Sequence, residues 1–228
     1  MKPEIIRTPA FADDVAHFIA GCARQAVDDY GHFRLGLSGG NTPRTVYAAL
    51  ALLDCDWPKW IITFGDERCV PPDDPQSNYR MASEAFLLVT TPGEVLRIKA
   101  EIPPEEAARE YETALQHIAA RFGDAGGRYR HDLILLGLGD DGHTASLFPQ
   151  TKALSETERS IVSNFVPKFN AYRITATYPL INAARRVAFL VNDRSKNPII
   201  DGVLRGDDAY PASRVRPTEG ELLWFIGQ

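Results

Sequence analysis

With 228 residues, 44% of them hydrophobic and 24% charged, the chain has the composition of a globular protein that buries its own core, at a length that fits one large domain or two small ones. Its formal net charge of −5, with arginines scattered along the chain, argues against nucleic acid as a partner, so an anionic ligand must be held by local positive groups and backbone N–H donors. Three cysteines far apart (Cys22, Cys55, Cys69), an N-terminus without a signal pattern and no apolar run of bilayer length predict a cytoplasmic protein with no disulfide framework, thiolate metal site or membrane partner.

Thr8 and Pro9 read as the N-cap and first residue of a helix whose apolar positions Phe11, Val15, Phe18, Ile19, Cys22 and Ala26 recur at helical spacing until Gly31. Strand-length apolar runs follow at Phe33 to Leu37 and Trp60 to Phe64. Between them the pattern predicts a helix over Arg44 to Leu53, capped by Thr42 with Pro43 as its first residue. A Pro-rich loop leads to a helix that Ser77 or Asn78 caps. The next helix runs from Pro104 to Phe122, with Ala107, Ala108, Tyr111, Leu115, Ile118 and Phe122 on one face and Gly123 after its end. Gly123 to Arg130 is the loosest stretch. Further strands are expected at Leu133 to Leu138, Val187 to Val191 and Leu222 to Ile226, with Tyr172 to Thr177 as an extra strand beside them. Most of these runs are continuous and not alternating, as strands covered on both faces of a parallel sheet are. The expectation is a single α/β domain over residues 1–228, Rossmann-like, with a mainly parallel sheet flanked by helices.

The residues able to do chemistry gather just after those strands: LSGGNTP, GDER, GDDGHTASLFP and NDRSKN. In an open parallel sheet the ligand crevice lies beyond the carboxyl ends of the strands, so these distant loops are expected to converge. Ser38, Gly39, Gly40, Asn41 and Thr42 join a strand to a helix, where glycines allow close approach and the helix N-terminus offers unpaired N–H groups, a good seat for phosphate. A plain strand-to-helix turn is the alternative. Gly36 to Gly40 also spell a G-x-S-x-G nucleophile elbow, and the order Ser38, Asp66, His143 matches a hydrolase triad, which stands as a rival. Asp66 beside Arg68 suits acid-base work and anion binding, unless it forms only a surface ion pair. Imidazole is a common general base, so His143 can take a proton from water, with a nearby aspartate such as Asp141 fixing its tautomer; a capping or core histidine is the alternative. Arg173 and Lys196 are strand-associated cations that add positive charge near a phosphate crevice. No metal site is expected, because His17, His32, His117 and His131 share no ligand spacing with His143.

These segments resemble the 6-phosphogluconolactonase family across most of the chain. LSGGNTPRTVYAAL is similar to its Gly-Gly-x-Thr-Pro segment, FGDERCVPPDDPQSNYRMASEAFL to its Asp-Glu-Arg-x-Val-Pro and Ser-Asn-Tyr segment, and LILLGLGDDGHTASLFP to its Asp-Gly-His-x-Ala-Ser-Leu-Phe-Pro signature. RITATYPLINAARRVAFLV, Lys196 and PASRVRP resemble weaker counterparts. Asn41 departs from the usual Ser or Thr, and the Asp-Ala-Ala tail of the family is missing after WFIGQ. The resemblance implies hydrolysis of a sugar-phosphate lactone, 6-phosphogluconolactone, in the pentose phosphate pathway without metal or organic cofactor. It implies His143 as the base, Asp66 or Asp141 as its helper, and Arg68, Arg173 and Lys196 with the Gly39-Gly40 backbone as phosphate holders. A sister enzyme with similar loops, glucosamine-6-phosphate deaminase, carries Asn-Glu where Leu147-Phe148 stand here and so has acid-base groups that this chain lacks. A sugar-phosphate sensor without chemistry is the non-enzymatic alternative.

Overall fold

The computed structural model describes residues 2–228. In chain order it has β1 (Glu4–Thr8), α1 (Phe11–Tyr30), β2 (Phe33–Leu37), α2 (Asn41–Leu50), β3 (Trp60–Phe64), β4 (Asp66–Arg68), α3 (Asn78–Ala82) and β5 (Glu94–Val95). It continues with α4 (Pro104–Arg121), β6 (Leu133–Leu136), β7 (Ile161–Val166), β8 (Ala171–Ala176), α5 (Tyr178–Ala183), β9 (Arg186–Val191), α6 (Asn197–Arg205) and β10 (Glu221–Gly227). Seven strands form one all-parallel sheet in the order β1-β10-β9-β6-β2-β3-β5. Every residue of β2, β3 and β6 is buried, which is why these strands read as continuous apolar runs.

The strand order places the site. From β2 the chain moves outward through β3 to β5, then returns to β6 on the other side of β2 and continues outward through β9 to β10. The switch in direction therefore falls between β2 and β6, and the crevice beyond their carboxyl ends is bounded by the Ser38–Gly40 turn and the Gly137–His143 loop. One apolar core joins the two faces of the sheet: Val15 and Ile19 of α1, Val46 and Leu50 of α2, and Tyr111 and Leu115 of α4 all pack into it. Burying each such side chain contributes roughly 1.5–3 kcal/mol.

Several boundaries differ from the sequence reading. Thr8 is not the cap of α1 but the last residue of β1, an edge strand whose mostly exposed residues give no apolar pattern. Its hydroxyl still serves the helix start, accepting from the Ala10 N–H at 3.1 Å and donating to Asp14. The second helix starts at Asn41, three residues before Arg44, with Gly40 at the cap, and stops at Leu50. β6 ends at Leu136, and Gly137 and Leu138 already belong to the loop that follows it. The alternating Tyr172 to Thr177 run is a strand, but it does not join the parallel sheet. It lies between β4 and β7 in a separate antiparallel sheet, which covers one side of the crevice.

Candidate active site

The Gly-rich turn is held from two directions. The buried Tyr47 hydroxyl accepts from the Ser38 N–H and donates to the Ser38 carbonyl, both at 2.9 Å. From the other side Asn78 lies so close that a Cβ on Gly39 would fall 1.9 Å from its Oδ1, so only glycine fits there. Gly40 has φ 106°, a backbone that side chains rarely tolerate, and aims the chain into α2. The unpaired N–H groups of the α2 N-terminus then face a cleft of about 450 Å³ whose rim includes Asn41, Arg44, Arg68, Asn78 and Arg80. Thr42 lies half-buried in the same first turn.

Asn78 also donates to both the backbone carbonyl and Oδ1 of Asp66, at 2.9 and 3.1 Å. Asp66 is buried, and its other oxygen accepts from the Ser146 hydroxyl at 2.6 Å. Its neighbour Glu67 is buried too and gathers the N–H groups of Arg68, Asn78 and Tyr79 with the Ser77 hydroxyl, fastening the start of α3 to β4. Burial pushes the Glu67 carboxyl above its ordinary range, although the three N–H donors pull the other way. Ser77, not Asn78, is the cap of α3 and accepts from the Arg80 N–H.

Arg68 and Arg173 are register partners on β4 and β8. Like charges directly opposite one another destabilise a sheet unless an anion lies between or beside them. Burial, then the charge of Arg68, holds the Arg173 guanidinium below its usual pKa, so both groups favour an incoming anion. Arg68 is anchored by a 2.5 Å bond to the Gln76 carbonyl, and Arg173 lies 5.5 Å over the Phe169 ring.

The loop after β6 is folded around His143. Gly139 N–H donates to the His143 carbonyl at 2.8 Å, Gly142 N–H to the Gly139 carbonyl at 3.0 Å, and Gly142 takes φ 73°. The imidazole lies against Gly139, where a Cβ would stand 2.0 Å from the ring. Its other face stacks on Phe148, with centroids 3.8 Å apart and planes 23° from parallel. His143 Nδ1 and Asp141 Oδ1 are 2.5 Å apart, and the Lys168 ammonium donates to Asp141 Oδ2 at 3.0 Å. Burial raises the Asp141 pKa, but the bonds from His143 and Lys168 outweigh it and hold the carboxyl at about 2. Lys196 donates to the Leu138 carbonyl and sits 3.6 Å from Asp140, at the base of the same loop.

The structure thus separates the two aspartates. Asp141 is bonded to His143, whereas Asp66 is taken up by Asn78 and Ser146 and makes no bond to the imidazole among the described residues. The Ser38-Asp66-His143 relay is not assembled. The Ser38 hydroxyl donates to the Gly39 carbonyl, and Ser38 is absent from the non-glycine residues of positive φ, which are Ala145, Gln150 and Asn170. A strained serine elbow is therefore not present at this turn. Sequence reasoning missed Asn78, Glu67, Ser146 and Lys168 as members of the site. Asn78 was legible only as a cap, and Lys168 lies in a loop whose approach to Asp141 depends on the second sheet. Among the described residues, no group of three or more His, Cys, Asp or Glu side chains is gathered to hold a metal, and no helix is long and apolar enough to cross a membrane.

Residues 7–224 match the family model described as glucosamine-6-phosphate isomerases/6-phosphogluconolactonase. A 6-phosphogluconolactonase of Nostoc is 43% identical over 209 residues, covering 88% of this chain and 84% of its own. The human 6-phosphogluconolactonase is 35% identical, covering 96% of this chain and 86% of its own. Among solved structures, a 6-phosphogluconolactonase from Thermotoga maritima superposes with a TM-score of 0.86 at 27% identity, covering 100% of both chains.

Proposed function

The chain belongs to the glucosamine-6-phosphate isomerase/6-phosphogluconolactonase family, and from that premise we propose that it hydrolyses 6-phosphogluconolactone with His143 as the base that activates water. Of the two activities in the family's description, the lactonase is the one that the relatives named above carry, and the site agrees with it. Leu147 and Phe148, both buried, offer no acid-base group, and Phe148 serves as a stacking wall for the imidazole. A sugar-phosphate sensor would have no use for a carboxylate-braced histidine.

The observation that carries the mechanism is the 2.5 Å bond between His143 and Asp141. An ionised Asp141 accepts from Nδ1–H and so leaves Nε2 as the unprotonated nitrogen. Nε2 takes a proton from water as its oxygen adds to the lactone carbonyl. When the tetrahedral intermediate collapses, the ring C–O bond breaks and the imidazolium returns the proton to the departing ring oxygen, leaving 6-phosphogluconate. Asp141 and Lys168 act through His143 as positioning residues. The Lys168 ammonium beside Asp141 repels a cation, which supports imidazole over metal-bound water as the activator; we assign no metal or organic cofactor.

Phosphate binding is assigned to Arg68, Arg173 and the N–H groups of Gly39, Gly40, Asn41 and Thr42, because the paired arginines and the α2 N-terminus supply positive potential at the crevice. Ser38 shapes that turn, and Lys196, which braces the Leu138 end of the loop that carries His143, is assigned to the same anion as a further cation. Remote phosphate binding then positions the reacting carbon. One continuous core supports a single domain, and three unpaired cysteines suit a reducing cytoplasm. The test is a pH-controlled assay of lactone hydrolysis with exhaustive chelation, corrected for the spontaneous reaction. Wild-type activity should survive chelation, while His143→Gln should lose about 10²–10⁴-fold and still bind 6-phosphogluconate. Near-normal turnover in the variant would remove His143 from the chemistry.

A further inference from the structure

We propose a second anion site, remote from the Gly-rich turn, in the cavity between the end of α6 and β10, built to take a small oxyanion such as free phosphate or the phosphate of a metabolite. The cavity has a volume of about 250 Å³ and is lined by Arg205, Ser213, Arg216, Leu222 and Trp224, with apolar walls from Val203 and Val215. Two of its polar groups are buried without a hydrogen-bond partner among the described residues: the Ser213 hydroxyl and the Trp224 indole N–H. Those residues are only 5% and 1% exposed. An indole nitrogen is purely a donor and a hydroxyl supplies another O–H, so the group that satisfies both must be an acceptor. Leaving such groups unmet inside apolar walls is costly.

The charge points the same way. No Asp or Glu lines this cavity, and neither Arg205 nor Arg216 has a carboxylate partner among the described residues. The larger cleft of about 580 Å³ at the amino ends of the strands differs in this respect. Its Arg34, Arg185 and Arg130 are already met by Asp124, Asp132 and Glu219 at 2.5, 3.1 and 3.7 Å, so little positive potential is left for a ligand. In the α6 cavity the guanidinium of Arg216 is fixed by Nε donating to the Ser213 carbonyl at 3.2 Å, which aims its remaining donors away from that bond. Of the closing carbonyls of α6, those of Gly202 and Val203 are taken up by the N–H groups of Asp207 and Gly206 at 3.1 and 2.9 Å. Two buried donors without a partner, flanked by two exposed arginines and no carboxylate, select an oxyanion over a cation or a neutral sugar.

The site touches the catalytic loop through one residue. Ala212 N–H donates to the Gly142 carbonyl at 2.9 Å, and Ser213 follows it directly. An occupant bonded to Ser213 and Arg216 therefore braces the segment that props the turn carrying His143.

The test is titration calorimetry with inorganic phosphate and, separately, with 6-phosphogluconate, on the wild type, Arg68→Ala, Ser213→Ala and Arg216→Gln, each checked for fold by circular dichroism. Wild type should bind two phosphates per chain. Ser213→Ala and Arg216→Gln should weaken one of them about tenfold or more, keep the other and, assayed without added phosphate, retain lactone kcat/KM. Arg68→Ala should spare the site and keep the phosphate-induced change in Trp224 fluorescence, which Trp224→Phe should abolish. Stronger binding of 6-phosphogluconate than of phosphate at this site would identify the metabolite as the source, and equal binding the free ion. One phosphate per chain in wild type, or a second phosphate unaffected by Ser213→Ala and Arg216→Gln, would overturn the proposal. Loss of both phosphates in Arg68→Ala would overturn it too, whereas retention of both there would count only against the phosphate role of Arg68.

Discussion

Asp141→Asn probes the pair on which the mechanism rests, and the geometry around it sets the direction of the effect. In the native carboxylate, Oδ1 faces His143 Nδ1 at 2.5 Å and Oδ2 faces Lys168 Nζ at 3.0 Å. An amide has one acceptor and one donor end. The ammonium can only donate, so it claims the amide oxygen and turns the NH₂ toward His143 Nδ1. Nδ1 must then accept, the ring proton moves to Nε2, and the nitrogen facing water loses its basicity. The expected loss in kcat is that of general-base catalysis, about 10²–10⁴-fold, with 6-phosphogluconate affinity unchanged. A hydrogen bond to a charged group is worth about 1.5–3 kcal/mol, which is what holds the amide in the wrong orientation. Adding Lys168→Met to Asp141→Asn frees the amide to flip and should recover roughly 10–100-fold of the lost activity. Lactone hydrolysis followed at constant pH, with the spontaneous rate subtracted, reads both variants. A double variant no faster than Asp141→Asn alone would refute the tautomer argument, and normal turnover in Asp141→Asn would refute the role of the pair.

Arg68→Ala should damage hydrolysis of the phosphorylated lactone far more than that of unphosphorylated gluconolactone, because it removes one of two facing cations; equal losses on both would move Arg68 to the reacting carbon. Gly139→Ala puts a methyl 2.0 Å from the imidazole ring and should abolish turnover while leaving the melting transition in place, which calorimetry and a rate assay together will read. His131 is fully buried, with burial and then Arg34 holding its pKa at about 3. The unfolded chain therefore binds a proton that the folded one rejects, so this group leaves stability constant above about pH 6.5 and lowers it as pH falls from there toward 3, by up to about 1.4 kcal/mol per pH unit. Urea midpoints of wild type and His131→Gln should converge on acidification; parallel pH profiles would exclude this source.

The central strands, the long helices and the four functional loops were legible in the chain because each depends on local order. Continuous apolar runs such as Leu133 to Leu136 mark strands buried on both faces, and a glycine pair at the start of a helix marks a phosphate-competent turn whatever surrounds it. His143 and Asp141 are two residues apart, so their bond too was within reach of sequence reasoning. What no local pattern carried was the choice between Asp66 and Asp141. It turns on Asn78 and Ser146, which are 12 and 80 residues from Asp66 and reach it only because β4 leaves the parallel sheet to pair with β8. That departure also brings Arg68 opposite Arg173 and sets the loop between β7 and β8, with Lys168, against the catalytic turn. Strand pairing across a hundred residues obeys the global burial of apolar faces, not the residues being paired, and so the ordering of charges around His143 belongs to the tertiary structure.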